Sequence, residues 1–278
     1  MRTLQTLRSA FTMVEVIFTI IVLGIVASIG AEIIAQTYES YILQRSQYRA
    51  NIKTELALNQ VANRLRYAIP TTIVARPSLG GASTPIEFVT NPNMKVLQWV
   101  GYDGDSFEAM TSTSRKPGWS GFCDLNTTVT TSTNIRTPGS NLGLASTIIS
   151  NLGGSIGNAQ IYFAEGNQSG YGIASAAGEN ITLDTAIPAG DSITERYKLA
   201  WSSYALEIDD DNDLILHYNF TPITGTAIAG SSSILLHNVT NFRFKYSGGA
   251  FRLKICKSER ISTDANVTIH ACKEKVVF

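Results

Sequence analysis

The chain has 278 residues, of which 44% are hydrophobic, and its 22 Lys and Arg residues balance 22 Asp and Glu residues. This length corresponds to one or two domains with enough apolar material for a core. A net charge of zero argues against general nucleic-acid binding, because attraction to phosphate needs an excess of Lys and Arg. The three cysteines exclude a disulfide scaffold, and a charged fraction of only 16% excludes a disordered chain.

The apolar residues are concentrated near the amino terminus. Residues 11–31 contain a single charge, Glu15, and a helix of that length reaches about 30 Å, enough to cross a bilayer. Arg2 and Arg8 precede this run, whereas no Lys or Arg follows it before Arg45. The asymmetry predicts a cytoplasmic amino end and a chain that continues on the other side of the membrane.

Two ordinary interpretations of this run are a secretory signal peptide and a signal anchor. Ala27, Ser28 and Ala31 could form the small-residue cleavage site of a signal peptide. Neither interpretation explains Glu15, because an unpaired carboxylate in the apolar run costs about 2.5–3.5 kcal/mol on the insertion scale.

Residues 10–15 read AFTMVE, and they follow a short basic leader and begin an unbroken apolar segment. This pattern resembles the processing signal of type IV pilins and type II secretion pseudopilins, in which a prepilin peptidase cuts before the Phe and methylates its amine. The resemblance implies a cut between Ala10 and Phe11, with Ala10 where the family usually has Gly, and N-methylation of Phe11. It also implies that Glu15 pairs with the Phe11 amine of a neighbouring subunit and so sets the register of assembly.

The helix is expected to continue beyond the membrane, because residues 32–69 contain no Pro or Gly and repeat apolar side chains at helical spacing. We predict one helix from about Thr12 to Tyr67, about 80 Å long, whose second half packs on a soluble domain. Pro70 and the Thr pair after it end the helix. The residues expected to face that domain are Tyr38, Tyr41 or Ile42, Tyr48, Ile52, Leu56, Leu58, Val61, Leu65 and Ala68.

Beyond Pro70, short runs of β-favouring residues alternate with turn residues, which predicts a β-rich head. Asn141 is a candidate cap of a short helix that ends at Gly153. The predicted strands are Ile86–Val89, Lys95–Val100, Gln160–Ala164, Tyr197–Ile208 and Leu214–Phe220.

The expected fold class is α+β, with a long N-terminal helix, transmembrane in its first half, packed on a mainly antiparallel sheet. The expected divisions are a leader (1–10), a transmembrane and assembly helix (11–31), its amphipathic continuation (32–69) and the head (70–278).

The clearest local pattern is a hairpin near the carboxyl terminus, where Gly248 and Gly249 separate two alternating runs. A two-residue turn there pairs Ser247 with Ala250 and places the apolar side chains on one face. The other face carries four cations that either meet acidic residues of the same head or bind an acidic partner. These cations are Arg243, Lys245, Arg252 and Lys254.

The cysteines support an extracytoplasmic head. A disulfide between Cys256 and Cys272 would tie the last strand to the sheet and contribute about 3 kcal/mol in the chain-entropy model. Cys123 is then left as a free thiol in a loop. Residues 235–246 also loosely resemble the end of the larger minor pseudopilins, of the J class in type II secretion, which favours a minor subunit.

Two further motifs have weaker support. Residues 209–213 carry alternate carboxylates like the start of a calcium loop, but Leu214 and Phe220 occupy the positions of the Gly and Glu that such a loop needs. An acidic turn is therefore favoured, with calcium binding left open. The sequence around Ser155 matches the esterase pattern G-x-S-x-G, yet that elbow needs a strand before the Ser and a helix after it.

Asn126 and Asn266 each begin a glycosylation sequon with an acidic residue two positions earlier, and chance matches are common in Asn- and Thr-rich loops. Glycosylation at these two residues stays a minor hypothesis.

The expected function is a structural pilin-like subunit, a minor pseudopilin or minor pilin, with no cofactor, metal site or catalytic residue. The expected partners are prepilin peptidase, other pilin or pseudopilin subunits and the bacterial inner membrane, which the chain crosses once with its head in the periplasm. The sequence does not distinguish among three systems to which such a subunit could belong, namely type II secretion, a type IV pilus and a DNA-uptake machine. The alternative is a signal-anchored extracytoplasmic hydrolase with Cys123 or Ser155 as its nucleophile.

Overall fold

The computed structural model describes residues 12–91, 93–164, 169–261 and 268–277. Its contacts divide the chain into two compact units. The first lies within residues 1–49 and 260–269, and the second lies within residues 50–259 and 270–278.

In the described residues a long amino-terminal helix is followed by two shorter helices and fourteen strands. The helices are α1 (Met13–Arg66), α2 (Gly104–Glu108) and α3 (Leu142–Asn151). The first seven strands are β1 (Val74–Arg76), β2 (Thr84–Pro85), β3 (Val96–Gly101), β4 (Asn134–Arg136), β5 (Gln160–Phe163), β6 (Tyr171–Ala177) and β7 (Asn180–Leu183). The others are β8 (Tyr197–Ala200), β9 (Ser202–Ile208), β10 (Leu214–Phe220), β11 (Ser231–Leu236), β12 (Val239–Ser247), β13 (Ala250–Arg260) and β14 (Thr268–Val277).

The strands form three sheets, and the strand pairs that the structure describes are antiparallel. The strand order is β11-β10-β9-β3-β1-β2 in the first sheet, β12-β13-β14 in the second and β4-β7-β6-β5-β8 in the third. The fold is therefore α+β with a long amino-terminal helix and antiparallel sheets, which confirms the coarse prediction from the sequence.

The first hydrophobic core joins the carboxyl-terminal part of α1 to the first and second sheets. Trp99 of β3 and Leu206 of β9 are among its fully buried side chains, and the second sheet contributes Leu253 of β13, which is also buried. The contribution of α1 includes small residues such as Ala57 and Ala62, which let the helix backbone approach the strands closely. The carboxyl-terminal end of α1, from Ala57 to Leu65, is thus an integral part of this core.

A second hydrophobic core lies between α3 and the third sheet. The side-chain Oδ1 of Asn141 accepts a hydrogen bond from the Leu144 amide at 3.2 Å, so Asn141 caps α3 as predicted. Gly153 has a positive φ of 87° directly after the helix, as a helix-terminating glycine should. Leu142 and Ile149 of α3 pack into this core.

The hairpin prediction is confirmed in its register. Ser247 pairs with Ala250, and the pairing continues to Phe242 opposite Ile255. Gly248 and Gly249 both have positive φ, as the two central positions of a type I′ turn require. The apolar face of this hairpin belongs to the first core, as expected.

The predicted apolar stripe of α1 is confirmed for Leu58, Val61, Leu65 and Ala68, which are buried, and is wrong for the residues before them. Tyr38, Tyr41 and Tyr48 are exposed, and so are Ile52 and Leu56. The residues of α1 that are buried are Ala50, Thr54, Ala57, Leu58, Val61, Ala62 and Leu65. Ile52 and Leu56 follow Ala50 and Thr54 by two positions, which is about 200° around the helix, so they lie on its opposite face.

Two strand predictions also needed correction. Ile86–Phe88 forms a 3₁₀ helix rather than a strand, with Pro85 directly before it. The run Tyr197–Ile208 is divided at Trp201 into β8 and β9, which belong to different sheets. The three other predicted strands correspond to β3, β5 and β10.

Arg76 of β1 is a buried cation that the sequence analysis did not predict. Its Nε donates to Gln98 Oε1 at 2.9 Å, and its guanidinium donates to the carbonyl oxygens of Gly81, Gly225 and Thr226. Burial lowers the pKa of Arg76, but a guanidinium stays charged at any physiological pH. The donors of this side chain therefore tie two loops to the first sheet.

Candidate membrane and assembly segment

The first turn of α1 places Glu15 at the amino-terminal end of the helix. The Thr12 carbonyl accepts from the Glu15 amide at 3.0 Å and from the Val16 amide at 3.3 Å, so the helix starts directly after Thr12. An acidic side chain in the first turn interacts favourably with the positive end of the helix dipole. Glu15 is exposed and forms no ion pair within the described residues.

The apolar run that follows is long and apolar enough to cross a membrane once, and its most apolar stretch is 0% buried. Its large side chains are exposed from Met13 to Ile34. The polar groups within and after the run are satisfied locally, because Thr19 Oγ1 donates to the Val16 carbonyl at 2.8 Å and Thr37 Oγ1 to the Ile33 carbonyl at 2.7 Å. A helix with such internal hydrogen bonding suits a hydrocarbon environment, which offers no other partners.

The predicted processing residues, Ala10 and Phe11, lie outside the described residues. The predicted disulfide is present, because Cys256 of β13 is bonded to Cys272 of β14. An ion pair also links the two strands, because Arg252 Nε of β13 lies 3.2 Å from Glu274 Oε1 of β14.

The alternative nucleophiles occupy unfavourable positions. Cys123 is 0% exposed and belongs to the second core, and burial raises the pKa of its thiol. A raised pKa disfavours the reactive thiolate, and a buried sulfur is closed to a substrate. Ser155 follows α3 and precedes β5, which is the reverse of the strand–Ser–helix order of the esterase elbow.

Ser155 does line a cavity of about 680 Å³. Its Oγ accepts from the Gly157 amide at 3.3 Å and so caps a short 3₁₀ helix, Ile156–Asn158. Among the described residues that line this cavity there is no His to act as a base. The cavity wall is instead formed mainly by glycines, small polar side chains and Trp201.

The acidic segment Asp209–Asp213 is a turn between β9 and β10, as the favoured interpretation required. Asp209 Oδ1 accepts from the Asp213 amide at 2.7 Å, and Asn212 has a positive φ of 62°. Asp213 Oδ2 lies 2.6 Å from His237 Nδ1. In the part of the chain that the structure describes, no group of three or more His, Cys, Asp or Glu side chains is arranged to hold a metal ion.

His217 of β10 contacts a carboxylate that sequence reasoning missed, since its Nε2 lies 2.8 Å from Glu207 Oε1 of β9. The register of β9 and β10 could have predicted this contact, because it pairs Ile215 with Glu207 and places His217 diagonally opposite Glu207.

Asn126 lies in an exposed loop, where its Oδ1 accepts from the Thr128 amide and hydroxyl, whereas Asn266 is outside the described residues.

The structure thus defines an α+β protein with an exposed apolar amino-terminal helix and a disulfide-linked sheet at its carboxyl end. Comparison of the chain with protein-family models, with curated proteins and with solved structures found no match.

Proposed function

We propose that this protein is a structural subunit of a type IV pilin-like filament, a minor pseudopilin or minor pilin. In this proposal a prepilin peptidase cuts the chain between Ala10 and Phe11 and methylates the new amine of Phe11. Helix α1 holds the subunit in the bacterial inner membrane, with the leader in the cytoplasm and the β-rich part in the periplasm, and later packs against the helices of other subunits. The filament belongs to type II secretion, a type IV pilus or a DNA-uptake machine.

One observation carries the proposal: an exposed apolar helix whose single charge over residues 11–31 is Glu15, placed four residues after the expected new amino terminus. A simple membrane anchor gains nothing from a carboxylate in this position, which raises the cost of insertion. In a bundle of such helices the carboxylate of one subunit pairs with the cationic Phe11 amine of the next. N-methylation preserves that positive charge, so the pairing survives processing.

The division of α1 supports the same proposal. Its last three turns contribute to the first hydrophobic core, whereas the apolar side chains from Met13 to Ile34 remain exposed. A subunit with this arrangement keeps an apolar surface for lipid before assembly and for other helices after it.

The amino terminus of the mature protein is the first test. We expect mass spectrometry of the membrane-extracted protein to give an N-methylated Phe11 in cells with active prepilin peptidase, and an uncut leader in cells without it. A Phe11→Ala variant should lose methylated Phe but keep the membrane helix. An uncut leader in cells with active peptidase would contradict the proposal.

Glu15 is tested by Glu15→Gln, with Glu39→Gln as the matched control on the same helix. We expect Glu15→Gln to leave cleavage and membrane insertion intact while incorporation into sheared filaments or crosslinked subunit pairs falls about tenfold or more. Glu39→Gln should incorporate normally. Normal incorporation of Glu15→Gln would remove the registration role, and retention of cleavage in that variant separates this result from failure of processing.

A further inference from the structure

The second sheet leaves one edge of β12 without a strand partner. β13 pairs with β12 on one side, and no strand pairs with its other side in the part of the chain that the structure describes. Because Ser247 and Ala250 flank a two-residue turn, they form a hydrogen-bonded pair, and such pairs recur at every second residue. The backbone N–H and C=O groups of Phe242, Phe244 and Tyr246 therefore point away from β13, toward the free edge.

A groove follows this edge. Two cavities of about 420 and 440 Å³ lie along it, and both are lined by Met94 and Arg243. Together they contact β12 from Thr240 to Tyr246, a length of about 23 Å at the usual rise of a strand. This length equals that of an extended peptide of about seven residues.

The two faces beside the groove differ in chemistry. On the core face, Phe244 and Tyr246 are only partly buried, and Val89 and Met94 stand beside them in the wall of the first cavity. A strand added to β12 would direct alternate side chains toward these apolar groups, because opposite residues of neighbouring strands share a face.

The other face is cationic beside the first cavity, whereas the second cavity is lined by Asp209 and Asp210 as well as by Lys95 and Arg243. The confirmed register places Lys245 opposite Arg252 and Arg243 opposite Lys254, although like charges in opposite positions destabilise a sheet. All four cations line the first cavity together with two carboxylates, Glu87 and Glu274, and Glu274 pairs with Arg252. No ion pair of Lys245 or Lys254 is found within the described residues.

From this geometry we infer that the free edge of β12 binds an extended segment of a partner protein that alternates apolar and acidic residues. The segment adds a strand to the sheet, with its apolar side chains toward Val89 and Met94 and its carboxylates opposite Arg243 and Lys245. Backbone hydrogen bonds to β12 supply affinity for any extended chain, and the cations select an acidic one. The inference concerns the β-rich part of the molecule and does not rest on processing or filament assembly.

Edge strands also carry Lys simply to prevent pairing with other chains, and that explanation predicts no binding. The test uses the full-length protein in micelles of an uncharged detergent and a fluorescent peptide of about eight residues that alternates Val and Glu. Three control peptides separate the contributions. They are a scrambled peptide of the same composition, an alternating Val and Lys peptide, and the Val and Glu peptide with N-methylated backbone amides.

We expect fluorescence anisotropy to show saturable binding of the Val and Glu peptide with a Kd below about 100 μM. Each of the three control peptides should bind about tenfold or more weakly. Scrambling removes the alternation of apolar and acidic residues, replacement of Glu by Lys removes the opposite charge, and N-methylation removes the backbone hydrogen bonds. No binding at about 1 mM peptide, or equal binding of the scrambled peptide, would overturn the inference.

Charge reversal in the protein gives the second arm. Lys245→Glu should weaken binding of the Val and Glu peptide about tenfold and should gain binding of the Val and Lys peptide, which a merely damaged protein does not do. Lys254→Glu, one strand farther from the edge, should have a smaller effect, and Arg115→Glu, an exposed cation in a distant loop, none. Equal weakening by all three variants would show nonspecific charge attraction and contradict a strand-addition site.

Discussion

The two ends of helix α1 are both rich in apolar residues, but they have opposite environments. Near the amino end the apolar residues are large and exposed, from Met13 to Ile34. Near the carboxyl end the residues that are buried are mostly small or medium-sized, such as Ala57 and Val61. Hydrophobic content alone therefore does not determine burial within a single helix.

The difference lies in side-chain size and distribution around the helix. From Ala50 onward, small residues recur at positions that share one face, so the backbone can approach a sheet and leave no voids. From Met13 to Ile34 the large side chains surround the helix, and a helix that is apolar on all sides suits lipid or a bundle of similar helices.

The largest expected effect comes from two neighbouring leucines of α1. Leu58 is 3% exposed and Leu56 is 56% exposed. Leu58→Ala should lower the free energy of unfolding by about 2–5 kcal/mol, because it leaves a cavity in the first core. Leu56→Ala should change it by less than about 0.5 kcal/mol. Urea denaturation of the two variants in detergent measures both values, and similar losses would contradict the difference in environment.

A charge in the exposed apolar run tests the membrane side of the comparison. Ile21→Arg should raise the cost of membrane insertion by about 2.5–3.5 kcal/mol and shift the protein from the membrane fraction after an alkaline wash. Tyr48→Arg lies beyond the apolar run and should stay in the membrane. Unchanged membrane retention of Ile21→Arg would mean that this part of α1 does not span the bilayer.

The role of small residues is tested by Ala57→Leu, with Ala35→Leu as the control on the exposed part of the same helix. Ala57 is buried against the sheets, so extra methylene groups should overpack the core and lower stability by about 1–3 kcal/mol. Ala35→Leu should be nearly neutral, because Ala35 is exposed. Thermal unfolding followed by circular dichroism compares the two variants. An unchanged stability of Ala57→Leu would show that the core has room for the larger side chain.

The smallest expected effect concerns the ion pair between α1 and β14. Glu55 Oε2 lies 3.8 Å from Lys273 Nζ, and both side chains are partly accessible to water. Glu55→Gln should therefore change stability by less than about 1 kcal/mol, and added salt should abolish the difference. A loss that persists at high salt would mean that Glu55 contributes through packing rather than through charge.

Features that depend on neighbouring residues in the sequence were predicted well. The β12–β13 register follows from two glycines and strict alternation of side chains, and the Asn141 cap depends on a residue three positions away. The start of α1 also agrees closely with its predicted position. In each case the decisive contact lies within a turn or a hairpin, so the local chain contains the whole signal.

Features that depend on distant parts of the chain were predicted poorly. The run Tyr197–Ile208 looked like one strand because both of its halves favour β structure, and only the presence of two sheets explains the break at Trp201. The partners of Arg76 come from loops up to 150 residues away in sequence. The free edge of β12 likewise cannot be identified until the strand pairs of the sheet are known.

Four features follow from the sequence alone: the apolar helix, the isolated charge of Glu15, the hairpin and the pairing of Cys256 with Cys272. Each depends on the composition, periodicity or turn chemistry of a short stretch of the chain, or on the small number of cysteines. The tertiary contacts determine which face of α1 is buried, where Cys123 lies and that β12 is an edge strand of its sheet. These features depend on which surfaces meet, and packing between distant segments selects among faces that the sequence leaves equally apolar.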